Sequence, residues 1–126
     1  MMAHDTDPAL PILVVEDDMM IAIMLEDQLT ALGYKVVGPA ARVDRALALI
    51  DKQPLAAALL DVNVGGEKVD RVADKLHLQR IPFAFVSGYA ASWMPRAHAD
   101  RPRLEKPFQA KDLKRVLENV LNEPAR

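Results

Sequence analysis

The sequence has no cysteine, no long hydrophobic run and no excess of positive charge, and each absence excludes a class of protein. Without cysteine there is neither a disulfide framework nor a thiolate metal site, which fits a reducing compartment. The longest apolar run, Met19 to Leu25, is far shorter than the roughly 20 residues of a membrane helix. Met1 to Pro8 lack the apolar stretch of a signal peptide. A net charge of -2 means that there is no excess of positive charge for binding nucleic acid. Together, these absences predict a cytoplasmic protein that binds neither membranes nor nucleic acid directly.

Length and composition predict one globular domain. The 126 residues are 51% hydrophobic, which is enough apolar sequence for a core of ordinary size. We expect the domain at residues 10–122, with tails at 1–9 and 123–126 and no output domain.

Apolar runs alternate with segments of helical periodicity along the whole chain. Strands are predicted at residues 10–15, 34–38, 55–61 and 81–86, with a short fifth strand and a turn at 103–108. A first helix is predicted at 19–32, with Asp18 as its N-cap and Gly33 just after its end, and later helices begin near Val43, Val69 and Leu113. The stretch 90–102 is interrupted by two prolines and keeps no helical period, so a fourth helix there is expected to be short or irregular. This alternation predicts an α/β fold with a parallel sheet and helices on both faces.

Charged and hydroxyl side chains follow the predicted strands at the point where each strand ends. In a parallel sheet these ends lie at one edge, which would bring together Glu16, Asp17, Asp61, Ser87 and Lys106. A single Asp at a strand end also fits a turn or a helix cap, so the other strand ends decide the interpretation. Crowded carboxylates with room for water suit Mg²⁺, and a carboxylate, a hydroxyl and an ammonium around Mg²⁺ form a phosphoryl-transfer site. Asp61 would then be the nucleophile that becomes an aspartyl phosphate.

These residues resemble the receiver domains of bacterial two-component response regulators over nearly the whole chain, from Leu10 to Leu121. The resemblance implies a flavodoxin-like (βα)5 fold with strand order 2-1-3-4-5, and Mg²⁺ as the cofactor. It also implies roles for individual residues: Glu16 and Asp17 as the acidic pair, Asp61 as the phosphoacceptor, Asn63 as a metal ligand through its backbone carbonyl, Ser87 as the switch hydroxyl, Lys106 as the invariant lysine, and Pro107 as a cis-proline candidate.

Residues 82–89, PFAFVSGY, are similar to a Pro-Phe-x-Phe-Ala-Thr-Gly-Tyr motif in a subfamily of receivers. Many of these receivers occur in alphaproteobacteria, often without an output domain, alongside histidine kinases of the HWE type. The chain has Arg103 on the fifth strand, where many receivers carry an aromatic switch residue. We therefore expect the switch pair to be Ser87 and Tyr89. The loop after the phosphoacceptor, Val64 to Glu67, also lacks the proline that is usual there.

The resemblance implies a stand-alone receiver that takes a phosphoryl group from a sensor histidine kinase or a histidine phosphotransferase. Such a protein signals by contact with a downstream effector or acts as a phosphate shuttle or sink, and it catalyses only its own phosphorylation and dephosphorylation. One alternative is a Mg²⁺-dependent phosphatase of the haloacid dehalogenase kind, because Asp61 to Asn63 loosely match its nucleophile motif. Those enzymes place the motif after the first strand and carry a cap domain. A binding module with a vestigial acidic pocket is a third possibility.

Three weaker patterns lie outside this set. The histidines have no mutual metal-ligand spacing, and we expect His77 and His98 at the surface. The arginines at 96, 101 and 103 are expected on a solvated loop face, with docking to an acidic partner as the alternative. The methionines at 19, 20 and 24 are expected in the core, with a partner-docking surface as the alternative.

Overall fold

The computed structural model describes residues 9–88 and 94–122. Seven strands are described: β1 (Pro11–Val15), β2 (Lys35–Ala40), β3 (Ala57–Asp61), β4 (Asn63–Val64), β5 (Glu67–Lys68), β6 (Phe83–Ser87) and β7 (Arg103–Glu105). The described helices are α1 (Met19–Ala31), α2 (Val43–Lys52), α3 (Asp70–Leu78) and α4 (Ala110–Leu121), with a 3-10 turn at Arg96–His98.

Five of these strands form one parallel sheet in the order β2-β1-β3-β6-β7. Numbered among themselves, they have the predicted order 2-1-3-4-5, and the flavodoxin-like α/β fold is confirmed. All residues of β3 and β6 are buried, as expected for central strands that helices cover on both faces.

Side chains alternate between the two faces along each central strand and build two layers of core. Ile12 and Val14 of β1 pack in the layer beneath α1 and α4, whereas Leu13 and Val15 pack in the layer beneath α2 and α3. Each fully buried Leu, Ile or Phe stabilises the fold by about 1.5–3 kcal/mol relative to an exposed one. The two layers hold the sheet firmly, so the carboxyl ends of its strands are fixed in position.

The first helix starts as the sequence indicates. Asp18 is the N-cap of α1, and its carboxylate accepts hydrogen bonds from the amides of Met20 (3.0 Å) and Ile21 (3.3 Å). Among the described helices, none is long and apolar enough to span a membrane.

The second strand is longer than predicted. It continues through a cis Gly38–Pro39 peptide to Ala40, with an irregular register against β1 between Leu13 and Val15. Gly38 has φ +96°, and a Cβ there would lie 2.7 Å from the amide nitrogen of Ala40. Proline is tolerated here because β2 is an edge strand, whereas the sequence pattern alone indicated an end at Gly38.

The segment after β3 is a β-hairpin, whereas the sequence indicates a loop. Strands β4 and β5 pair antiparallel around Gly65 and Gly66, whose φ angles are +60° and +83°. Two consecutive positive φ angles are typical of a type I′ turn, which favours glycine at both positions.

Two predictions about charged side chains are wrong. His98 is only 5% exposed and Arg101 only 7%, although both were expected at the surface. His98 Nε2 lies 2.8 Å from the Asp74 carboxylate, and the Arg101 guanidinium lies 4.3 Å from the centre of the Phe83 ring. His77, Arg96 and Arg103 are exposed, as expected.

The methionines of α1 also differ from the expectation of a core position. Met19 is 75% exposed and Met20 80%, since both lie on the outer face of the first turns of the helix. Of the stretch predicted to be irregular, the described residues 94–102 contain the 3-10 turn, and residues 90–93 and Tyr89 lie outside the described part of the chain.

Candidate functional site

The carboxyl ends of the central strands place the predicted site residues at one edge of the sheet. Glu16 directly follows β1, Asp61 is the last residue of β3, Ser87 is the last residue of β6, and Lys106 follows β7. A hydrogen bond of 2.8 Å from the Lys106 amide to the Ser87 carbonyl extends the pairing of β6 with β7 up to this edge.

Three carboxylates meet there. Glu16, Asp17 and Asp61 each offer an oxygen, and these oxygens lie within 4.8 Å of one another. Lys106 Nζ lies 3.2 Å from Glu16 Oε1 and 3.6 Å from Asp61 Oδ2, so one ammonium faces a cluster of up to three negative charges. The cluster therefore keeps a negative excess that a cation would relieve.

Glu16 is the most strongly perturbed carboxyl of the site. It is 2% exposed, and its pKa is raised from 4.5 to about 7. Burial is the largest cause, followed by the hydrogen bond and the charge of Asp61, while the Asp18 amide and Lys106 act in the opposite direction. Near neutral pH this carboxyl is divided between its protonated and ionised forms.

Asp17 is exposed and is held by a distant part of the chain. Its Oδ2 accepts a hydrogen bond of 2.9 Å from the amide of Gly65, at the tip of the β4–β5 hairpin. Sequence reasoning missed this contact, although two glycines after a strand that ends at a carboxylate are a signal for a tight hairpin beside the site.

Ser87 is buried, with 1% exposure, and within the described residues its hydroxyl has no hydrogen-bond partner. Asn63 lies in β4, two residues after Asp61, and the Lys106–Pro107 peptide is cis. The structure thus gathers the three carboxylates within 4.8 Å of one another, with Lys106 beside Glu16 and Asp61. At the same edge, the Ser87 hydroxyl has no hydrogen-bond partner in the described part of the chain.

The donor set fits Mg²⁺, which takes hard oxygen ligands and keeps several waters. Glu16 Oε1 is buried and makes no hydrogen bond among the described residues beyond its ionic contact with Lys106. The exposed position of Asp17 keeps one side of the cluster open to water and substrate.

Two clefts flank the cluster, one on each side of α1. The first has a volume of about 320 Å³ and is lined by Glu16, Asp17, Met19, Ala22, Ile23, Glu26, Pro39 and Ala41. The second has a volume of about 370 Å³ and is lined by Ile21, Met24, Gly88, Lys106, Pro107 and Phe108. Exposed apolar side chains of α1 therefore border the acidic cluster on both sides.

A flavodoxin-like sheet with an acidic cluster and a lysine at its carboxyl edge defines a class of protein, and comparison with known proteins specifies it further. No protein-family model matches the chain. SdrG from Sphingomonas melonis Fr1, solved in solution, is 39% identical with a TM-score of 0.82, and the match covers 92% of this chain and 99% of that one. The phyllosphere-induced regulator PhyR of Methylorubrum extorquens is 30% identical over 122 residues, which are 91% of this chain.

The match covers 45% of PhyR, so the chain spans less than half the length of this relative. The receiver domain of the sensor histidine kinase PA1611 from Pseudomonas aeruginosa PAO1, solved with magnesium in its active-site cleft, has the same fold, with a TM-score of 0.80 at 23% identity over 91% of this chain and 99% of that one. The chain belongs to the receiver domains of response regulators.

Proposed function

We propose that the chain is a receiver that is phosphorylated on Asp61 by a sensor histidine kinase or a histidine phosphotransferase, in a reaction that requires Mg²⁺. The observation that carries the proposal is the position of Asp61 at the end of β3, among two further carboxylates and an ammonium. Membership of the receiver family and the magnesium in the PA1611 receiver support it.

The chemistry is a phosphoryl transfer between two side chains. A carboxylate oxygen of Asp61 attacks the phosphorus of a phosphohistidine, a new O–P bond forms as the P–N bond breaks, and the imidazole leaves with the bonding electron pair. Glu16, Asp17, Asp61 and the Asn63 carbonyl would hold Mg²⁺, and the bound ion would neutralise charge on the phosphoryl oxygens. Lys106 lies close enough to Asp61 to pair with the same phosphoryl group.

Ser87 is proposed as the residue that senses the product. A phosphoryl group on Asp61 would give an acceptor to the Ser87 hydroxyl, which has no hydrogen-bond partner within the described residues, and would draw the end of β6 toward the site. Tyr89, the other proposed switch residue, lies outside the described residues.

The partner that donates the phosphoryl group is proposed to dock on α1. Met19, Met20, Ile23 and Met24 are exposed around the acidic cluster, and adaptable methionine side chains suit contact with another protein. The output is proposed to be contact with a protein effector or onward transfer of the phosphoryl group.

Family membership favours a receiver over the phosphatase alternative. A phosphatase of the haloacid dehalogenase kind would carry its nucleophile after the first strand of the sheet, whereas Asp61 ends the third strand in chain order.

Labelling with a small phosphodonor tests the proposal. Acetyl phosphate with Mg²⁺ should add one phosphoryl group to the parent protein, seen by intact-mass spectrometry, and none to Asp61→Asn. Asp51→Asn, which changes an exposed carboxylate of α2, is the matched control and should be labelled like the parent. Labelling of Asp61→Asn to the parent level would refute the assignment.

A further inference from the structure

We propose that the backbone amide of Gly65, at the tip of the β4–β5 hairpin, is a positioning group for Mg²⁺. This amide holds the Asp17 carboxylate in an orientation that leaves one carboxylate oxygen to bind the metal. The inference rests on the proposed function, because it assigns a role within the same metal site. It adds the tip of the hairpin to the site, whereas the resemblance to receivers implies a role only for Asn63, at the start of β4.

The first observation is the contact itself. The Gly65 amide donates to Asp17 Oδ2 at 2.9 Å across 48 residues of sequence. Asp17 is exposed, so without this bond its side chain would be free to change rotamer in water. The hydrogen bond therefore selects one orientation of an otherwise unrestrained carboxylate and leaves its other oxygen for a cation.

The second observation is that the hairpin is firmly attached to the domain on both sides of its tip. Val64 and Val69 are fully buried in the core layer beneath α2 and α3. The amide of Val69 donates to the carbonyl of Val62 at 3.2 Å, which closes the base of the hairpin. Because both strands are anchored, the direction of the Gly65 N–H is set by the fold.

The geometry of the turn leaves that amide available. In a two-residue hairpin turn, the closing hydrogen bond joins the residues that flank the turn, here Val64 and Glu67, so the amide of the first turn residue points outward. Gly65 adopts φ +60°, and a Cβ at this position would lie 3.5 Å from the carbonyl oxygen of Ala41. The tip therefore lies between the acidic cluster and the segment that connects β2 to α2.

The chemistry explains why such a group matters for Mg²⁺ in particular. Mg²⁺ demands nearly ideal octahedral geometry, so a carboxylate that is already oriented costs less to recruit than a mobile one. Hydrogen-bond partners of metal ligands are typically worth roughly ten- to hundredfold in metal affinity. The Gly65 amide is placed to act in this way on Asp17.

The test removes this single donor. Glycolic acid, incorporated at position 65 by cell-free translation, replaces the amide with an ester and deletes the N–H without adding a side chain. The same replacement at position 66, the other turn residue, is the matched control. We expect the ester at 65 to weaken Mg²⁺ binding roughly ten- to hundredfold by calorimetry, with the ester at 66 leaving it unchanged within error. Denaturant unfolding of both esters reports any general loss of stability.

A second measurement uses the unmodified chain and does not depend on a variant that folds. Hydrogen exchange of the Gly65 amide, followed by NMR, should be slower at saturating Mg²⁺, because the metal fixes the carboxylate that accepts the bond. Faster exchange would show that the metal displaces the bond, and an equal loss of affinity in both esters would show a general effect of the turn. Either result overturns the inference.

The outcome also separates this inference from the proposed function. If Mg²⁺ binds the parent, binding depends on Asp17, and the ester at 65 has no effect, only the role of Gly65 is refuted. If the parent binds no Mg²⁺, or if Asp17→Ala binds it as tightly as the parent, both proposals are refuted.

Discussion

Glu16 shows how burial and charge together tune one residue of the site. Its carboxyl is surrounded by protein, faces Asp61, and is only partly compensated by Lys106 at 3.2 Å. Since its pKa in the folded chain lies above its ordinary value, folding favours the protonated form. The ionised form of Glu16 therefore costs stability progressively as pH rises from about 4.5 toward about 7.

This shift predicts the pH dependence of metal binding. Mg²⁺ needs the ionised carboxylate, so its affinity should rise roughly tenfold between pH 6 and pH 8, as a pKa of about 7 requires. Calorimetric titrations at a series of pH values measure this. In Glu16→Gln the affinity should be low and nearly independent of pH, and a parent affinity that does not vary with pH would contradict the account.

Asp17 and Ser87 are predicted to differ in the step at which they act. Asp17→Ala should weaken Mg²⁺ binding by at least roughly a hundredfold, because even a group that only supports a ligand is worth ten- to hundredfold. Ser87→Ala should leave Mg²⁺ binding nearly unchanged, since the hydroxyl is proposed to contact the phosphoryl group and not the metal. Equal losses in the two variants, measured by calorimetry, would refute this division of roles.

At the scale of elements, the turn between β6 and β7 is fastened to α3 by buried polar groups. His98 Nε2 lies 2.8 Å from Asp74 Oδ1, and Arg101 Nη2 lies 2.9 Å from His77 Nδ1. Arg101 also packs over the ring of Phe83. These contacts hold the described part of the segment in place where a regular helix was not expected.

The contact of the buried His98 ring with Asp74 should contribute more stability than an exposed ion pair of the same helix. His98→Ala is expected to lower the free energy of unfolding by about 1–3 kcal/mol, since it removes a buried ring and its hydrogen bond to a carboxylate. Asp51→Ala breaks an exposed salt bridge between α2 and Lys75 of α3, and it should cost about 0.2–1 kcal/mol. Urea unfolding measures the loss in the free energy of unfolding for each variant. A loss for His98→Ala no greater than the loss for Asp51→Ala would show that the contacts of His98 do not stabilise the fold.

The outer face of α1 is predicted to carry the contact with the phosphodonor protein. Met20→Ser should slow phosphotransfer from a phosphorylated kinase roughly fivefold, corresponding to ~1 kcal/mol of lost contact, while labelling by acetyl phosphate stays unchanged. Leu78→Ser is the matched control, because Leu78 is 81% exposed on α3 and Met20 is 80% exposed on α1. Equal slowing of phosphotransfer in both variants would contradict docking on α1, because the partner would then not distinguish the surface of α1 from that of α3.

Periodicity predicted the helices and the central strands well, because their buried faces repeat at a regular spacing that the sequence displays. The elements that differed depend on tertiary contacts. Strand β2 can continue through Pro39 because β2 lies at the edge of the sheet. The hairpin is stabilised by Val64 and Val69, which are buried in the core. His98 is buried because Asp74, 24 residues earlier, supplies a partner that no local pattern reveals.

At the scale of the whole molecule, the parallel sheet converts distant sequence positions into one site. Glu16, Asp61 and Lys106 are separated by 45 residues each along the chain, yet they meet because β1, β3 and β7 end at the same edge. The resemblance to receivers implied the roles proposed for them, and the arrangement of the strands explains how they come together. The two glycines indicate a tight turn beside the site, but the hydrogen bond from the Gly65 amide to Asp17 could not be predicted, because a backbone amide carries no side-chain signature.

The central claim is that Asp61 accepts the phosphoryl group, and reductive trapping tests it most directly. Borohydride reduces an aspartyl phosphate to homoserine, so protein treated with acetyl phosphate and Mg²⁺ can be reduced, digested and mapped by peptide mass spectrometry. The account predicts homoserine at position 61 and at no other aspartate, and none when Mg²⁺ is omitted. Homoserine at a different aspartate, or its absence from a protein that carries the phosphoryl adduct, would contradict it.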